Sequence, residues 1–357
     1  MRVLVVANRR PDAEGRGDAK VARHVEEALR EGGHDITVMH AERGWSWQRA
    51  LCTAAVAPFT RRPLQLLLTS SSRLRQRIAG ENANFDILIA VHARAAQHVP
   101  AALRDRTLAL IVDSYGRAYQ TYRGKVPAAL DAVYRAEARR MTRYESELCG
   151  SFAMVGVVSR EDARHLRARA ATPRRVVHLP YAVDVDRFSS LPHVAPADPT
   201  FAFIGRLGYL PNRLAAETLM TTIWPLLQAR WPRARLVIAG RDPSPSLRRT
   251  ARSRGVELLG DVPDVRPILA RSSAVLVPMA TGGGVQTKLL EAMAAGVPVV
   301  CTSFATLGLE PGGRDHVLQA ETPEAFRRQV ERLLEQPAFA THLAAGAQRW
   351  VRERHSR

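Results

Sequence analysis

The sequence predicts an α/β protein of two domains, on two observations. Apolar runs typical of buried strands alternate with segments of helical periodicity, and this series begins at Val3–Ala7 and again at Phe201–Ile204. A stretch with several prolines, residues 182–199, separates the two series. Strands that alternate with helices form parallel sheets covered by helices. We therefore expect two Rossmann-like domains, residues 1–182 and 183–357, that face each other across a cleft.

The composition is that of a globular protein with a strongly basic balance. No apolar run reaches the ~18 residues of a membrane span. The net charge is +18, and only three of the 52 basic residues are lysine. The basic residues are spread along the chain, which disfavours a nucleic-acid-binding module and favours anionic substrates or an anionic membrane surface. The three cysteines have no metal-ligand spacing, which predicts a reducing cytoplasm and no metal site.

The first half opens as a strand, a loop and a helix, which is the start of a nucleotide-binding unit. The strand Val3–Ala7 is followed by a loop that holds Gly15 and Gly17. Loop glycines let the backbone approach a phosphate, so both are candidates for donor binding. The charged residues beside them, Asp18 and Lys20, are predicted on the acceptor side. The loop departs from the dinucleotide fingerprint, since the third glycine is absent.

Polar residues follow two later strands of the first half. His92 and Arg94 come after the strand Phe85–Val91, and Asp113 comes directly after the strand Ala109–Val112. The carboxyl ends of parallel strands lie at the ligand-binding edge of such a sheet. We therefore expect His92 at the catalytic centre and Asp113 on the acceptor side.

Two segments of the first half are predicted to be helical. The segment Trp45–Ile78 carries aromatic and apolar residues among arginines and is broken by prolines. It is expected to cover the sheet or to contact an anionic membrane surface. The helix Asp131–Leu148 is rich in arginine and glutamate, and its charges, Glu137 and Glu145 among them, are expected to form mostly a solvated face.

The clearest functional signal is the stretch 281–300, which predicts a loop, a helix, a turn and a strand. Gly282–Gly284 free the backbone, and the helix after them directs unpaired N–H groups and its positive dipole end at the loop. Lys288 and Glu291 are three residues apart and share one helix face. This order suits a nucleoside diphosphate followed by its ribose. The alternative is an ordinary loop before a core helix, with Lys288 and Glu291 as a solvated pair.

The second half carries the segments FIGRLGYLPN, LVIAG, GDVPDVRPILARSSAVLVP and GGGVQTKLLEAMAAGVPVV, in that order. Their order and spacing resemble those of family 4 of the GT-B glycosyltransferases, also called group 1. In the first half, DSYGRAYQTY and YRAEARRMTRYE are most similar to the branch of sugar transferases found near exopolysaccharide and exosortase systems. The resemblance covers the whole second half and, more loosely, the first half.

The resemblance implies transfer of a sugar, with retention and without a metal, from a UDP- or GDP-type nucleotide-diphosphate sugar. The acceptor hydroxyl would belong to a lipid-linked glycan, a polysaccharide or a secondary metabolite. Arg206 and Lys288 would hold the diphosphate and, with His92, form the catalytic set, while Glu291 would accept the ribose hydroxyls. The remaining donor-binding positions would be Gly15, Gly17, Gly205, Val262, Gly283, Gly284 and Thr287.

The sequence departs from the family pattern at two donor positions. Gly283 stands where the family has the first glutamate of a paired-glutamate motif. Asn212 stands in the neighbourhood where the family has a lysine after its Gly-Arg pair. The contact that the family's glutamate makes to the donor sugar is therefore expected to be missing or supplied elsewhere, and the family's lysine is absent.

Two alternative functions remain open from the sequence. A nucleotide-sugar epimerase on the same fold is not excluded, because a fold does not define an activity. A nucleotide-dependent oxidoreductase would need a tighter glycine fingerprint and an acidic residue at the end of the second strand, where this chain reads Met39–Glu42.

Overall fold

The computed structural model describes residues 1–8, 17–41, 47–57, 59–81, 84–194 and 196–356. The chain divides into two compact units, Met1–Leu179 and Pro180–Arg357. The sequence predicted this division between residues 182 and 183. Each unit is built on one six-stranded sheet in which the paired strands run parallel.

The sheet of the first unit has the strand order β2-β1-β3-β4-β5-β6. Its strands are β1 (Arg2–Ala7), β2 (Asp35–His40), β3 (Ile87–Val91), β4 (Thr107–Val112), β5 (Met154–Val157) and β6 (Val176–His178). Its helices are α1 (Gly17–Glu31), α2 (Trp47–Val56), α3 (Leu64–Thr69), α4 (Ser72–Gly80), α5 (Ala93–Ala96), α6 (Tyr115–Gln120), α7 (Ala128–Ser151) and α8 (Arg160–Arg167). The central strands are buried on both faces, which is typical of parallel sheets covered by helices.

The sheet of the second unit has the strand order β12-β11-β10-β7-β8-β9. Its strands are β7 (Thr200–Ile204), β8 (Arg235–Ala239), β9 (Glu257–Leu259), β10 (Ala274–Val277), β11 (Val299–Cys301) and β12 (Leu318–Gln319). Its helices are α9 (Val185–Ser189), α10 (Leu210–Thr218), α11 (Trp224–Arg230), α12 (Pro245–Ser253), α13 (Arg266–Ala270), α14 (Thr287–Ala294), α15 (Pro323–Glu335) and α16 (Pro337–His355). A short π-helical segment, Leu219–Ile223, joins α10 to α11.

The helix α14 ends in a turn at Gly296, within the stretch 281–300 where the sequence predicted a helix, a turn and a strand. Gly296 adopts a φ of +69°, which favours glycine. Its N–H donates to the carbonyl of Met293 at 3.1 Å, and the N–H of Val297 donates to that of Ala292 at 3.0 Å. This pair of hydrogen bonds closes a helix with a left-handed residue. Residues 295–298 lead from the helix to the buried strand β11, and the helix packs in the core through Leu289, Leu290 and Met293.

Four neighbouring strands of the second sheet direct their carboxyl ends to one edge. Along the order β10-β7-β8-β9, the loops that follow are residues 278–286, 205–209, 240–244 and 260–265. Adjacent strands lie ~4.8 Å apart, so the three spacings from β10 to β9 amount to ~15 Å. A small molecule of that length could contact all four loops.

The predicted helices of 45–78 are confirmed as α2, α3 and α4, although Trp45 lies outside the described residues. The expectation of a solvated α7 is wrong for two residues, because Glu137 and Glu145 are buried. Each is turned inward by hydrogen bonds to backbone N–H groups of other segments. In the described ranges, no helix is long and apolar enough to cross a membrane.

Candidate functional site

A buried lysine lies at the start of α14. Lys288 is 8% exposed, and its Nζ donates to Asn212 Oδ1 at 2.9 Å and to Gln286 Oε1 at 3.1 Å. The sulfur of Met279 is 3.9 Å from Nζ, and the ring centroid of Phe203 is 5.5 Å away. Both oxygen partners are neutral amides, and within the described residues the ammonium makes no ion pair.

Burial dominates the protonation of this lysine. It lowers the pKa of Lys288 to about 8, while the negative charge of Glu291 one turn on opposes the shift. At neutral pH the ammonium form still predominates. A buried charge without a counter-ion is costly, and such groups concentrate at functional sites. The arrangement therefore suits a ligand that supplies the negative charge.

The loop before α14 adds main-chain donors to this site. Gly282 and Gly284 adopt φ values of +121° and +63°, which other residues rarely adopt. The residue that precedes the helix, Gln286, makes no side-chain capping bond to it. The first N–H groups of a helix without such a cap remain available to an anion. An anion bound by Lys288 would therefore also meet main-chain N–H donors from the loop and from the first turn of the helix.

An exposed cation lies on the neighbouring strand end. Arg206 follows β7, and its Nε donates to Asp242 Oδ2 at 2.9 Å. The two side chains are 44% and 58% exposed, so this ion pair is weak. Asp242 adopts a φ of +57°, and a Cβ placed on Gly208 would lie 2.7 Å from its Cβ. A bound phosphate can therefore replace Asp242 as the partner of Arg206 at low cost.

The structure gathers most of the predicted donor residues on this edge of the second sheet. They are Gly205 and Arg206 after β7, Val262 after β9, and Gly283, Gly284, Thr287, Lys288 and Glu291 around the start of α14. Gly15 lies outside the described residues. Gly17 is the first residue of α1 and not part of a loop, because the helix begins before its predicted start. Asp18 and Lys20 fall in that first turn, where an aspartate suits the helix dipole, and their side chains lie outside the description.

The first unit places His92 at the end of β3 in a strained conformation. His92 adopts a φ of +85°, and Val112 at the end of the adjacent β4 adopts +70°. Arg94 Nε donates to Nδ1 of His92 at 3.4 Å, and Nε2 lies 3.2 Å from the hydroxyl of Tyr115. A guanidinium only donates, so Nε2 carries the hydrogen. Burial first, and then the charge of Arg94, hold the pKa of His92 well below its usual value, which makes the imidazole neutral.

Buried carboxyl groups lie beside this histidine's strand. Glu145 accepts from Ser114 Oγ at 2.7 Å and from the N–H of Gly116 at 3.2 Å. Burial nevertheless raises the pKa of Glu145 to about 8. Burial, aided by the charge of Asp162, raises the pKa of Asp113 to about 7. This edge therefore carries groups that exchange protons near neutral pH.

The sequence did not identify three residues of these two sites. Gln286 and Tyr115 hydrogen-bond the predicted residues Lys288 and His92, and Glu145 accepts from Ser114, which follows the predicted Asp113. The Ser-Tyr-Gly turn after Asp113 is the sequence signal that could have indicated a buried hydrogen-bond acceptor there. Among the residues that the structure describes, no three His, Cys, Asp or Glu side chains are grouped to hold a metal ion.

Two family models cover most of the chain. Residues 15–187 match the model described as Glycosyltransferase Family 4, and residues 198–336 match the one described as Glycosyl transferases group 1. The chain belongs to the group 1, family 4 glycosyltransferases. The family that the motifs predicted is thereby confirmed.

Solved structures show the same fold. Sucrose-phosphate synthase from Thermosynechococcus elongatus is 16% identical with a TM-score of 0.71, over 99% of this chain and 94% of that one. WaaG, a glycosyltransferase involved in lipopolysaccharide biosynthesis, is 16% identical with a TM-score of 0.68, over 98% and 95%. HepE from Anabaena, in complex with UDP-glucose, is 13% identical with a TM-score of 0.67, over 100% and 96%. These likenesses confirm the α/β GT-B fold of this glycosyltransferase. None of the curated protein sequences is significantly similar to it.

Proposed function

We propose that this glycosyltransferase moves a sugar from a nucleotide-diphosphate sugar to an acceptor hydroxyl, with retention and without a metal. The observation that carries the proposal is the buried ammonium of Lys288, which has two neutral partners and lies beside a glycine loop. When the bond from the anomeric carbon to the diphosphate breaks, negative charge develops on the departing oxygen. Lys288, Arg206 and the uncapped helix N–H groups would stabilise that charge and supply the role that a metal ion has elsewhere.

The order of loops along the edge supports a nucleotide donor. Lys288 and Arg206 lie at the ends of neighbouring strands, where a diphosphate can contact both. Glu291, one turn into α14, is assigned to the ribose hydroxyls. The main chain around Val262, after β9, is assigned to the base. Three strand spacings, ~15 Å, separate β10 from β9, which is on the scale of an extended nucleoside diphosphate.

The first unit is assigned to the acceptor and the reacting sugar. The neutral imidazole of His92 would lie next to the reacting centre. A protonated imidazole there would repel the positive charge of the oxocarbenium-like transition state. Asp113, with a pKa raised to about 7, can take up the proton that the acceptor hydroxyl loses. Asp18 and Lys20 keep their assignment to the acceptor side.

The solved relatives favour one range of substrates. HepE binds UDP-glucose, and WaaG is involved in lipopolysaccharide biosynthesis. By this likeness we favour a UDP-type donor, with GDP as the second choice, and a glycan acceptor. The exopolysaccharide-associated branch that the first half resembles points to the same acceptor class.

Peripheral contact with an anionic membrane in the cytoplasm is part of the proposal. Phe59 is 89% exposed, and the exposed Arg61 and Arg62 follow it. This loop is attached to α7 by hydrogen bonds. Arg140 donates to the carbonyls of residues 57 and 60, and Glu137 accepts from the N–H of residue 64. An exposed apolar side chain followed by exposed cations suits an anionic lipid surface. Binding to anionic vesicles should weaken with salt and with Phe59→Ser, and unchanged binding would contradict this part.

The proposed activity is tested with a mixed panel of nucleotide sugars. Purified protein is incubated with the panel and with a glycolipid extract, and mass spectrometry identifies the nucleoside diphosphate released and the sugar transferred. We expect UDP or GDP together with a glycosylated acceptor. Conversion of the sugar without transfer would support the epimerase, and absence of any nucleoside diphosphate, released or bound, would refute the proposal.

A further inference from the structure

One side chain connects the two candidate phosphate-binding residues. Asn212, in the first turn of α10, accepts from Lys288 Nζ through Oδ1 at 2.9 Å and donates from Nδ2 to the main-chain carbonyl of Arg206 at 3.1 Å. An ammonium only donates and a carbonyl only accepts, so the two contacts fix the orientation of the amide. Only a group with both an acceptor and a donor satisfies both partners.

The fold makes room for this amide. Asn212 is buried, and a Cβ placed on Gly205 would lie 2.9 Å from its Nδ2 and 3.0 Å from its Cγ. A Cβ placed on Gly240, in the next loop, would lie 1.8 Å from the carbonyl oxygen of Gly205. Side chains at either glycine would displace the loop or the amide. The close packing of this strand end therefore holds Asn212 against Lys288.

The neutrality of Asn212 determines the charge of the site. A carboxylate at this position would pair with the buried ammonium and cancel the charge that an anion needs. An apolar side chain would remove a hydrogen bond that favours the charged form, in a place where burial already lowers the pKa of Lys288 to about 8. An amide keeps the lysine protonated without neutralising it.

We infer that Asn212 is a positioning residue, which holds the ammonium of Lys288 charged and without a counter-ion so that a diphosphate becomes its partner. This inference rests on the proposed function and adds a residue to it. The charged side chains on the surrounding elements include Glu291 on α14, Arg206 after β7, Arg241 and Asp242 after β8, and Arg213 and Glu217 on α10. Of these, Glu291 is the group that acts on the pKa of Lys288.

The test is the affinity for UDP and GDP, measured by calorimetry from pH 7.5 to 9.5. In this range the terminal phosphate, whose second pKa is ~6, stays ionised. The variants are Asn212→Asp and Asn212→Leu. The matched control is Asn84→Asp, since Asn84 is exposed and its side-chain amide donates to the carboxylate of Glu81. Thermal unfolding checks each variant, and Asn212→Ala replaces Asn212→Leu if that variant does not fold.

The two substitutions should shift the pH dependence in opposite directions. The affinity of the parent should fall above pH 8, by up to about tenfold per pH unit, as Lys288 loses its proton. In Asn212→Leu the fall should begin at a lower pH. Asn212→Asp should bind about tenfold or more weakly at pH 7.5, with its fall moved to a higher pH, while the control behaves as the parent.

The outcomes separate this inference from the function on which it rests. Opposite shifts in the two variants support the role of Asn212, because a merely structural residue would change affinity without moving the pH dependence. If the parent binds a nucleotide and both variants keep its pH dependence, the role of Asn212 is wrong, while the proposed function is unaffected. A parent that binds neither nucleotide would overturn the proposed function and this inference with it.

Discussion

Each unit is built on a six-stranded parallel sheet, but the two sheets differ in strand order and in the chemistry of their carboxyl edges. The second unit holds a buried cation between neutral amides, with glycines around it. The first unit holds a neutral imidazole and buried acids, with two non-glycine residues at positive φ. Parallel sheets thus carry a cationic edge in one unit and an edge of neutral titratable groups in the other, and the residues at the strand ends make the difference.

Burial acts on both edges with opposite sign. It lowers the pKa of Lys288 to about 8 and raises that of Glu145 to about 8, because it always disfavours the charged form. At neutral pH the lysine is still charged and the glutamic acid is still neutral. Removal of one group at a time therefore tests whether each edge acts in binding, in turnover or in folding.

The largest effect is expected from Lys288→Met. Loss of one contact to the developing phosphate charge should cost about 2–4 kcal/mol of activation free energy, a fall in turnover of roughly 30- to 1,000-fold. Stability should not fall, since a buried charge is removed and a chain of similar length remains. Steady-state kinetics and thermal unfolding measure the two. The matched control, Lys125→Met, changes an exposed lysine of the first unit and should keep the parent rate. Parent turnover in Lys288→Met would show that the second edge does not hold the leaving group.

A pH-dependent effect on folding is expected from Glu145→Gln in the first unit. The folded pKa of Glu145, about 8, is above the unfolded value of ~4.3, so the folded state keeps a proton that the unfolded state has lost. Its contribution to stability is complete below the unfolded value and is lost as pH rises, by about 1.4 kcal/mol per pH unit, until the folded pKa is passed. Glu145→Gln should therefore flatten the decline of stability between pH 5 and 8. Denaturant unfolding across this range, with Glu147→Gln on the exposed face of α7 as control, measures it. An equally steep decline in Glu145→Gln would mean that Glu145 is ionised in the folded protein.

A smaller effect is expected at the ribose position. Glu291→Gln keeps the shape and loses the charge, so the affinity for UDP should fall about tenfold as charge-assisted hydrogen bonds weaken. The affinity for the 2′-deoxy nucleotide should fall much less, because that ligand already lacks one hydroxyl. Calorimetry with both nucleotides compares them. Equal losses would indicate that Glu291 supports the helix and does not contact ribose.

The smallest effect concerns the strained end of β3. At a φ of +85°, glycine is less strained than alanine, by about 1–2 kcal/mol. Of two variants that both lack the imidazole, His92→Gly should thus be more stable than His92→Ala, against the usual order. Denaturant midpoints compare them. Both should turn over slowly and still bind UDP as the parent does, since this edge does not hold the nucleotide; weaker UDP binding would contradict the division of roles.

Local patterns predicted much of the fold and of the second edge. The strands Val3–Ala7 and Ala274–Val277 are nearly continuous apolar runs, and the helix stop at Gly296 depends on neighbouring residues only. Lys288 was found because it adjoins a glycine loop within one short segment. Features that depend only on residues close together in the chain follow from propensity and periodicity, which a sequence displays directly.

Long-range contacts could not be predicted in this way. Lys288 and Asn212 are 76 residues apart, and the sequence showed Asn212 only as a departure from the family pattern. Glu145 lies on a helix that carries charged residues on all sides, so the sequence around it does not show that it is buried. It is buried because it accepts hydrogen bonds from the turn at Ser114 and Gly116. The positive φ of His92 arises where its N–H meets the carbonyl of Leu110 on the next strand. Tertiary structure, and not local preference, decides each of these.

We propose that Lys288 is a buried cation whose counter-ion is the diphosphate of the donor. The chain has only three lysines, so protein labelled with ¹³C at lysine Cε gives three side-chain resonances, and Lys288→Met identifies the one of interest. In the free protein this resonance should titrate near pH 8, and with UDP bound it should titrate at a clearly higher pH, because the phosphate charge favours the ammonium. Titration at the ordinary lysine value of ~10.4 in the free protein, or no change on saturation with UDP and GDP, would contradict the claim.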